Sequence, residues 1–468
     1  MLGSRRRDPG LRGRDWRFLL DSPDGGSPVT VIGFPTRRRA AAARRRLGGS
    51  GSLVCRWRLP RLFGVQRARR NLLAAGFHRV QAYWPGPSVT GAPEFWLPVE
   101  VPGAITLLLA SRPARSPAAR LLRLLWRLAL RTGGIAPVCA VAQPAAPAGN
   151  HGLPIPDAWL LLTPGNTDMN KVIGIPFSAT DPGPPRTLAK FARVDGAEVG
   201  IEWEARMLGQ LERELPGLRG LPRLRATGRR GGRAALLQTY AVGRPLDAEI
   251  AAGGLSRLAP EVTRILIELA RVPADDGPGG HRAHLVEEPL RRFEDDCAGT
   301  LPPSVLSALR RRLQGLATPA PAFEHGDVKP WNLILTESGP VLIDWEDAEP
   351  RGLPGTDLAF FLASAALLAD GAISHRGAPL DAMLASQRRL LDPTTDIGTV
   401  AARCVSEYCA ATGLARDDYE RLRLLGWVRR AVQASDGGVA PDDPSNPFRR
   451  EFYLGLIEAE LDIAAHGA

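Results

Sequence analysis

With 468 residues, 44% of them apolar and 23% charged, the chain is long enough for two or three domains that each bury a core, which argues against overall disorder. Five scattered cysteines with no CxxC pair, and no histidines at ligand spacing, argue against a disulfide framework or a zinc site and fit a reducing cytoplasm. The net charge of +11 is uneven, because residues 1–150 hold 25 arginines, no lysine and six acidic residues, a local +19 against −8 for the remainder.

The opening run MLGSRRRDPGLRGRDWRF is basic but lacks the apolar core and small-residue cleavage site of a secretory signal. Apolar stretches such as VPGAITLLLA at 101–110 fall far short of the ~20 residues that a membrane span needs. SPVTVIGF reads as a strand, ARRNLLAAGF as a helix ending at Gly76, HRVQAYWP as a strand, and residues 117–132 as a helix. Their alternation predicts a small α/β domain over 1–145.

Arg120, Arg123, Arg127 and Arg131 share one face of the helix at 117–132, with the leucines largely elsewhere. Such a basic amphipathic helix has two readings: weak contact with an anionic membrane surface, or packing of its leucines on its own domain. The arginine excess also suits nucleic acid, but an alanine-, arginine- and glycine-rich composition explains it with solvated side chains, so no nucleic-acid partner is expected. AAGFHRVQAYWPGP resembles the closing segment of a class I methyltransferase. No methyl transfer is expected, because VTVIGFPTRRR puts Phe, Pro and three arginines after Gly33, where the cofactor needs a glycine-rich turn.

QPAAPAGNHGLPIPD, at 143–157, reads as an exposed linker and sets the main domain boundary. Beyond it WLLLTPGNTDMNKVIGIPF predicts strand, turn and strand, with Gly165 in the turn. RTLAKFAR predicts a third strand carrying Lys190, and EVGIEWEARMLGQL a helix carrying Glu202 and Glu204. Residues 244–320 and 356–468 read as mostly helical, with periodic leucine and alanine.

The most informative stretch is FEHGDVKPWNLILTESGPVLIDWEDAE at 323–349. Two apolar runs joined by a turn predict a hairpin, with Asp327 and Asn332 on the loop entering it and Asp344 leaving it. Three oxygen-bearing side chains then converge at one end. Phosphoryl transfer uses that set: a carboxylate for the proton of the attacking hydroxyl, and an amide and a second carboxylate for magnesium.

HGDxxxxN followed by IDW resembles the aminoglycoside phosphotransferase and choline kinase-like enzymes, and differs from the HRD and DFG of eukaryotic protein kinases. The resemblance implies an α+β, bilobal protein kinase-like fold. A small β-rich lobe would span 151–243 and a larger helical lobe 244–468, preceded by the α/β domain. It implies ATP and Mg2+, with Asp327 as catalytic base, Asn332 and Asp344 as magnesium ligands and His325 as a structural residue of the loop. Lys190 would bond the α- and β-phosphates, held by Glu204, with Glu202 as its rival. The backbone of Thr239 and Ala241 in LLQTYAVGRPL would meet the adenine, and Gly243 would let the chain turn. Asp357 in GTDLAFFLA would brace the catalytic loop, or simply cap a helix.

The acceptor implied is a hydroxyl of a small molecule, with sugar, aminoglycoside, amino alcohol and polyol all open. Glu346 and Asp347, and further off Glu294, Asp295 and Asp296, are the acidic candidates for a cationic acceptor. The alternative is a pseudokinase or nucleotide-binding scaffold that interacts through its basic N-terminal part.

Overall fold

The structure is a computed structural model, which describes residues 29–47, 52–57, 64–86, 95–110, 138–143, 156–163, 171–178, 183–230, 232–272, 282–297, 301–316, 320–373, 379–436 and 448–466. The amphipathic helix expected at 117–132 and the turn around Gly165 lie outside these residues. No described helix is long and apolar enough to cross a membrane. The chain divides into two compact units, residues 3–206 with 223–242, and residues 207–222 with 243–468.

The first unit opens with the alternation read from the sequence: β1 (Val29–Ile32), α1 (Arg37–Leu47), β2 (Ser52–Trp57), α2 (Gly64–Leu73) and β3 (Arg79–Pro85). β1 and β2 run parallel, Val29 opposite Ser52, as a helical crossover allows. Ala40, Ala43 and Leu47 of α1 and Val65, Ala68 and Leu72 of α2 are buried at helical spacing, so each helix turns one apolar stripe inward and its arginines outward. That stripe meets Leu53, Cys55, Val80 and Ala82, alternate residues of the strands.

β4 (Phe95–Pro98), α3 (Pro102–Ala110) and β5 (Val138–Gln143) follow, then β6 (Ala158–Leu162), β7 (Val172–Phe177), β8 (Thr187–Phe191), α4 (Glu198–Glu214), β9 (Leu224–Arg230) and β10 (Arg233–Thr239). All ten strands form one sheet in the order β1-β2-β5-β3-β4-β6-β7-β8-β10-β9. β4 pairs antiparallel with β6, Phe95 opposite Leu162 and Trp96 opposite Leu161. Strands on both sides of the proline- and alanine-rich segment at 143–157 are therefore members of a single sheet. A shared core of Val54, Trp96, Val141, Trp159, Leu161 and Phe191 runs along one face of it. The AAGFHRVQAYWPGP segment supplies the turn that follows α2, which ends at Leu73 rather than Gly76, and the strand β3, which lies antiparallel to both β4 and β5. Its methyltransferase likeness goes no further than this local helix–strand pattern.

The second unit is mainly helical. In chain order it contains β11 (Arg244–Pro245), α5 (Leu246–Glu249), α6 (Leu255–Ala270), α7 (Glu288–Cys297), α8 (Pro303–Leu313), β12 (Ala322–Glu324), β13 (Leu333–Thr336), β14 (Gly339–Leu342) and β15 (Glu349–Gly352). Five helices complete it: α9 (Thr356–Ala369), α10 (Leu380–Leu391), α11 (Asp396–Thr412), α12 (Arg416–Asp436) and α13 (Arg450–His466). Every residue of α9 from Thr356 to Leu367 is buried, the mark of a helix enclosed on all sides. β13 lies between β11 and β14, and β12 pairs with β15, so two short sheets frame the loop 325–332.

Candidate active site

The predicted hairpin is present: β13 and β14 pair antiparallel from Leu333 opposite Leu342 to Thr336 opposite Gly339. One further bond, Ile343 N–H to Asn332 O at 2.9 Å, extends the ladder and brings the entry and exit of the hairpin together. Asn332 therefore adjoins the residue next to Asp344. Its Nδ2 donates to Asp327 Oδ2 at 2.8 Å and to Asp327 O at 3.0 Å, while Lys329 Nζ lies 2.7 Å from the same carboxylate oxygen. Asp327 is thus held from two sides.

His325 is fully buried and ties the two ends together. Its Nδ1 accepts the Asp327 N–H at 3.2 Å, so the proton sits on Nε2, which donates to Ile343 O at 3.0 Å. Its ring meets Trp345 edge-on at 4.5 Å, and buried Trp345 donates Nε1–H to Leu342 O at 3.0 Å. Between these anchors Asp344 adopts φ 73°, ψ 70°, the sole positive φ of a non-glycine among the described residues. Such a conformation costs on the order of 1–3 kcal/mol and persists only where its surroundings impose it.

Beneath the loop, Asp357 at the second position of α9 accepts the N–H groups of His325 at 2.6 Å and Gly326 at 3.0 Å. Of the two expectations for this residue the brace is met and the cap is not: Gly355 occupies the N-cap, no side chain caps there, and Asp357 sits within the first turn with its carboxylate on the loop. Neighbouring Glu324, also buried, accepts from Arg429 Nη1 at 2.9 Å, the Thr356 hydroxyl at 2.8 Å and Leu353 N–H at 3.1 Å. Burial works to raise the Glu324 carboxyl, yet the charge and hydrogen bond of Arg429 hold it below its ordinary value. Burial and then the Glu324 charge push Asp357 up to about 7, against the pull of its two N–H donors and Arg430. Arg430 Nη2 donates to Gly326 O at 2.9 Å. Gly326 itself has φ +82°, and a Cβ there would run into the carbonyl of Asp347.

A cavity of 370 Å³ opens beside Asp327, lined among others by Asp347, Glu349, Arg429, Arg430 and Gln433. Of the acidic candidates, Asp347 reaches it. Glu294 is instead paired with Arg310 at 2.5 Å and Asp295 with Arg291 at 3.1 Å.

In the first unit, Lys190 on β8 and Glu204 on α4 are both buried, with Nζ 2.5 Å from Oε1. Of the two glutamates weighed above, Glu204 is the one that pairs, because it shares the inward face of α4 with Ile201 and Leu208 while Glu202 is exposed. Lys171 brings a second ammonium to the same carboxylate, 3.2 Å from Oε2. The Thr239 N–H donates to Arg223 O at 2.9 Å. Ala241 is half-buried just beyond the end of β10. In the second unit, Gly243 is required by close approach, since a Cβ would strike the backbone carbonyl of Leu335 on β13.

Sequence reasoning overlooked Lys171, Lys329, Glu324 and the Arg429–Arg430 pair. For Lys329 a signal existed, its place two residues after Asp327. The arginines lie about a hundred residues further on, in a run with no motif.

Among solved structures, this chain is similar to aminoglycoside phosphotransferase APH(3'')-Id from Streptomyces rimosus ATCC10970, with 19% identity over 58% of this chain and 92% of that one, TM-score 0.37. It is also similar to choline kinase from Cryptosporidium parvum Iowa II, with 12% identity over 64% and 88% of the two chains, TM-score 0.41. No curated protein matches the sequence. The family model of the phosphotransferase enzyme family (APH) matches residues 177–425, which run from the last residue of β7 to the middle of α12 and contain Lys190, Glu204 and the whole 323–349 segment. More than half of the chain is covered by that match, and the chain belongs to the phosphotransferase enzyme family.

Proposed function

We propose that this phosphotransferase moves the γ-phosphoryl group of ATP to a hydroxyl of a small molecule by direct in-line attack. The observation that carries the reading is the bonding around Asp327. His325 fixes its backbone, Asn332 and Lys329 hold its carboxylate, and a polar cavity opens beside it. A carboxylate so oriented can accept the proton of an alcohol in that cavity as its oxygen bonds to phosphorus and the bond to the β-phosphate oxygen breaks, releasing ADP. Asp327 carries the proton away.

Magnesium fits the residues present. The Asn332 amide turns its nitrogen to Asp327, which leaves Oδ1 as its coordinating end, and Asp344 on the adjoining strand end supplies a carboxylate. Both are hard oxygen donors, and two protein ligands suffice for an ion that keeps waters and takes phosphate oxygens. Bound there, the ion would neutralise charge on the phosphates. Lys190, oriented by Glu204, would bond the α- and β-phosphates, while the Thr239 carbonyl and the Ala241 backbone would contact the adenine. Dependence on ATP goes with a cytoplasmic enzyme. The cavity beside Asp327 would hold the acceptor, with Asp347 and Glu349 facing its polar groups.

A library of sugars, amino alcohols, polyols and aminoglycosides, assayed for acceptor-dependent ADP formation with Asp327→Ala as blank, tests the proposal. An acceptor that accelerates ADP release at least tenfold in the native chain alone is the expected result. Equal rates in the two proteins would refute the role of Asp327, and no MgATP binding by calorimetry would refute the reading as a whole.

A further inference from the structure

Helices α9 to α13 leave a second cavity between them, of 240 Å³, which shares no lining residue with the one beside Asp327. Leu362, Leu390, Val405, Leu424 and Leu456 make its walls largely apolar. Polar groups gather at the seam between α12 and α13. There Glu460 Oε1 accepts Trp427 Nε1–H at 2.6 Å and Arg423 Nε–H at 2.9 Å.

Arg423 is the informative group. Its side chain is only 16% exposed, and it stands 5.9 Å from the Tyr419 ring. It engages Glu460 through Nε, and among the described residues its two terminal nitrogens make no hydrogen bond. A guanidinium inside a protein with its fork open is suited to a planar anion that can take two parallel N–H bonds. The lining charges agree in sign. Three arginines, Arg312, Arg416 and Arg423, and two carboxylates line the cavity; Glu420 lies 3.4 Å from Arg416 and 3.1 Å from Arg312, which Asp417, outside the lining, also pairs at 2.6 Å, so Arg423 is the enclosed lining arginine whose fork is left open. Gln387, almost fully buried, adds an amide to the lining.

We propose that this cavity is a second small-molecule site, one that takes a carboxylate with an apolar body, its head on Arg423 and its tail among the leucines. A cationic ligand meets the wrong charge there, and a strongly hydrated one meets walls that cannot replace its water. The site is independent of phosphoryl transfer, yet it adjoins the support of the catalytic loop. Its lining residues Ala359 and Leu362 lie on α9, whose Asp357 holds that loop, and Tyr419 packs against Gly355 and Tyr408.

The test is scanning calorimetry of the full chain with octanoate, octanamide and octylamine as probes. Octanoate is expected to raise Tm with concentration, as a ligand of the folded state does, with octanamide weaker and octylamine without effect. Arg423→Gln should weaken octanoate by about tenfold or more, the size of a lost charge-assisted bond, and leave octanamide unchanged. Asp327→Ala should keep the full octanoate shift. Because Arg423→Gln also removes a partner of Glu460, Ala402→Leu serves as a second variant that fills the cavity from its apolar wall and should abolish the shift. No octanoate shift in the native chain, an equal shift with octylamine, or a shift that survives Ala402→Leu would each overturn the proposal.

Discussion

Gly326→Ala separates the geometry of the loop from its chemistry, because no polar group is removed. At φ +82° an L side chain is strained, on the order of 1–3 kcal/mol. The added Cβ would also meet the Asp347 carbonyl, whose carbon is only 3.0 Å from the ideal Cβ position. Carbon contacts are optimal at about 3.5–4.0 Å, so the loop and the 345–347 turn must part by up to about 1 Å. A displacement of that size beside a reacting centre reduces turnover by about a hundredfold. Urea unfolding would measure the stability loss, and acceptor-dependent ADP formation, or slow hydrolysis of ATP, would measure turnover. MgATP affinity is expected to change little. Turnover within threefold of the native enzyme, in a variant that unfolds cooperatively, would refute the view that Asp327 must be held where it is.

Glu204→Gln should destabilise the chain by about 3–5 kcal/mol, since it removes the charge that holds buried Lys190 and half-buried Lys171. Lys190→Met should be milder because Lys171 keeps its partner; comparison of the two Tm values checks the order. Asp357 holds its proton in the folded state up to about pH 7, whereas the unfolded group loses it near 3.8, so its contribution to stability falls as pH rises between those values. Asp357→Asn should remove that slope from urea-derived stabilities measured across the range. Deleting residues 1–150 leaves β6 as a bare edge strand, with Trp159, Leu160 and Leu161 losing their cover, and light scattering should report aggregation of the remainder.

The hairpin of the candidate site was legible because its signal is local. Asp327, Asn332 and Asp344 lie within eighteen residues, and strand, turn and strand bring the entry and exit of the hairpin together. The strand of Lys190 and the helix of Glu204 were legible in the residue pattern, their pairing was implied by the family resemblance, and only burial decides between Glu204 and Glu202. The hold of Arg429 and Arg430 on the loop, and of Lys171 on Glu204, depends on packing between distant segments that leaves no pattern in the sequence. The ten-stranded sheet was hidden for a related reason. The joining strand FWLP is four residues long, follows PGPSVTGAPE, and acquires its meaning only when Phe95 and Trp96 pair with Leu162 and Leu161, far along the chain.

The left-handed backbone of Asp344 bears on how its charge can be interrogated. Asparagine is among the few residues besides glycine that tolerate this region, so Asp344→Asn swaps one carboxylate oxygen for a nitrogen and leaves the chain path alone. Alanine would confound the missing oxygens with a reluctant main chain, and glycine would loosen the very corner whose rigidity is in question. The amide variant is the one whose phenotype can be attributed to electrostatics.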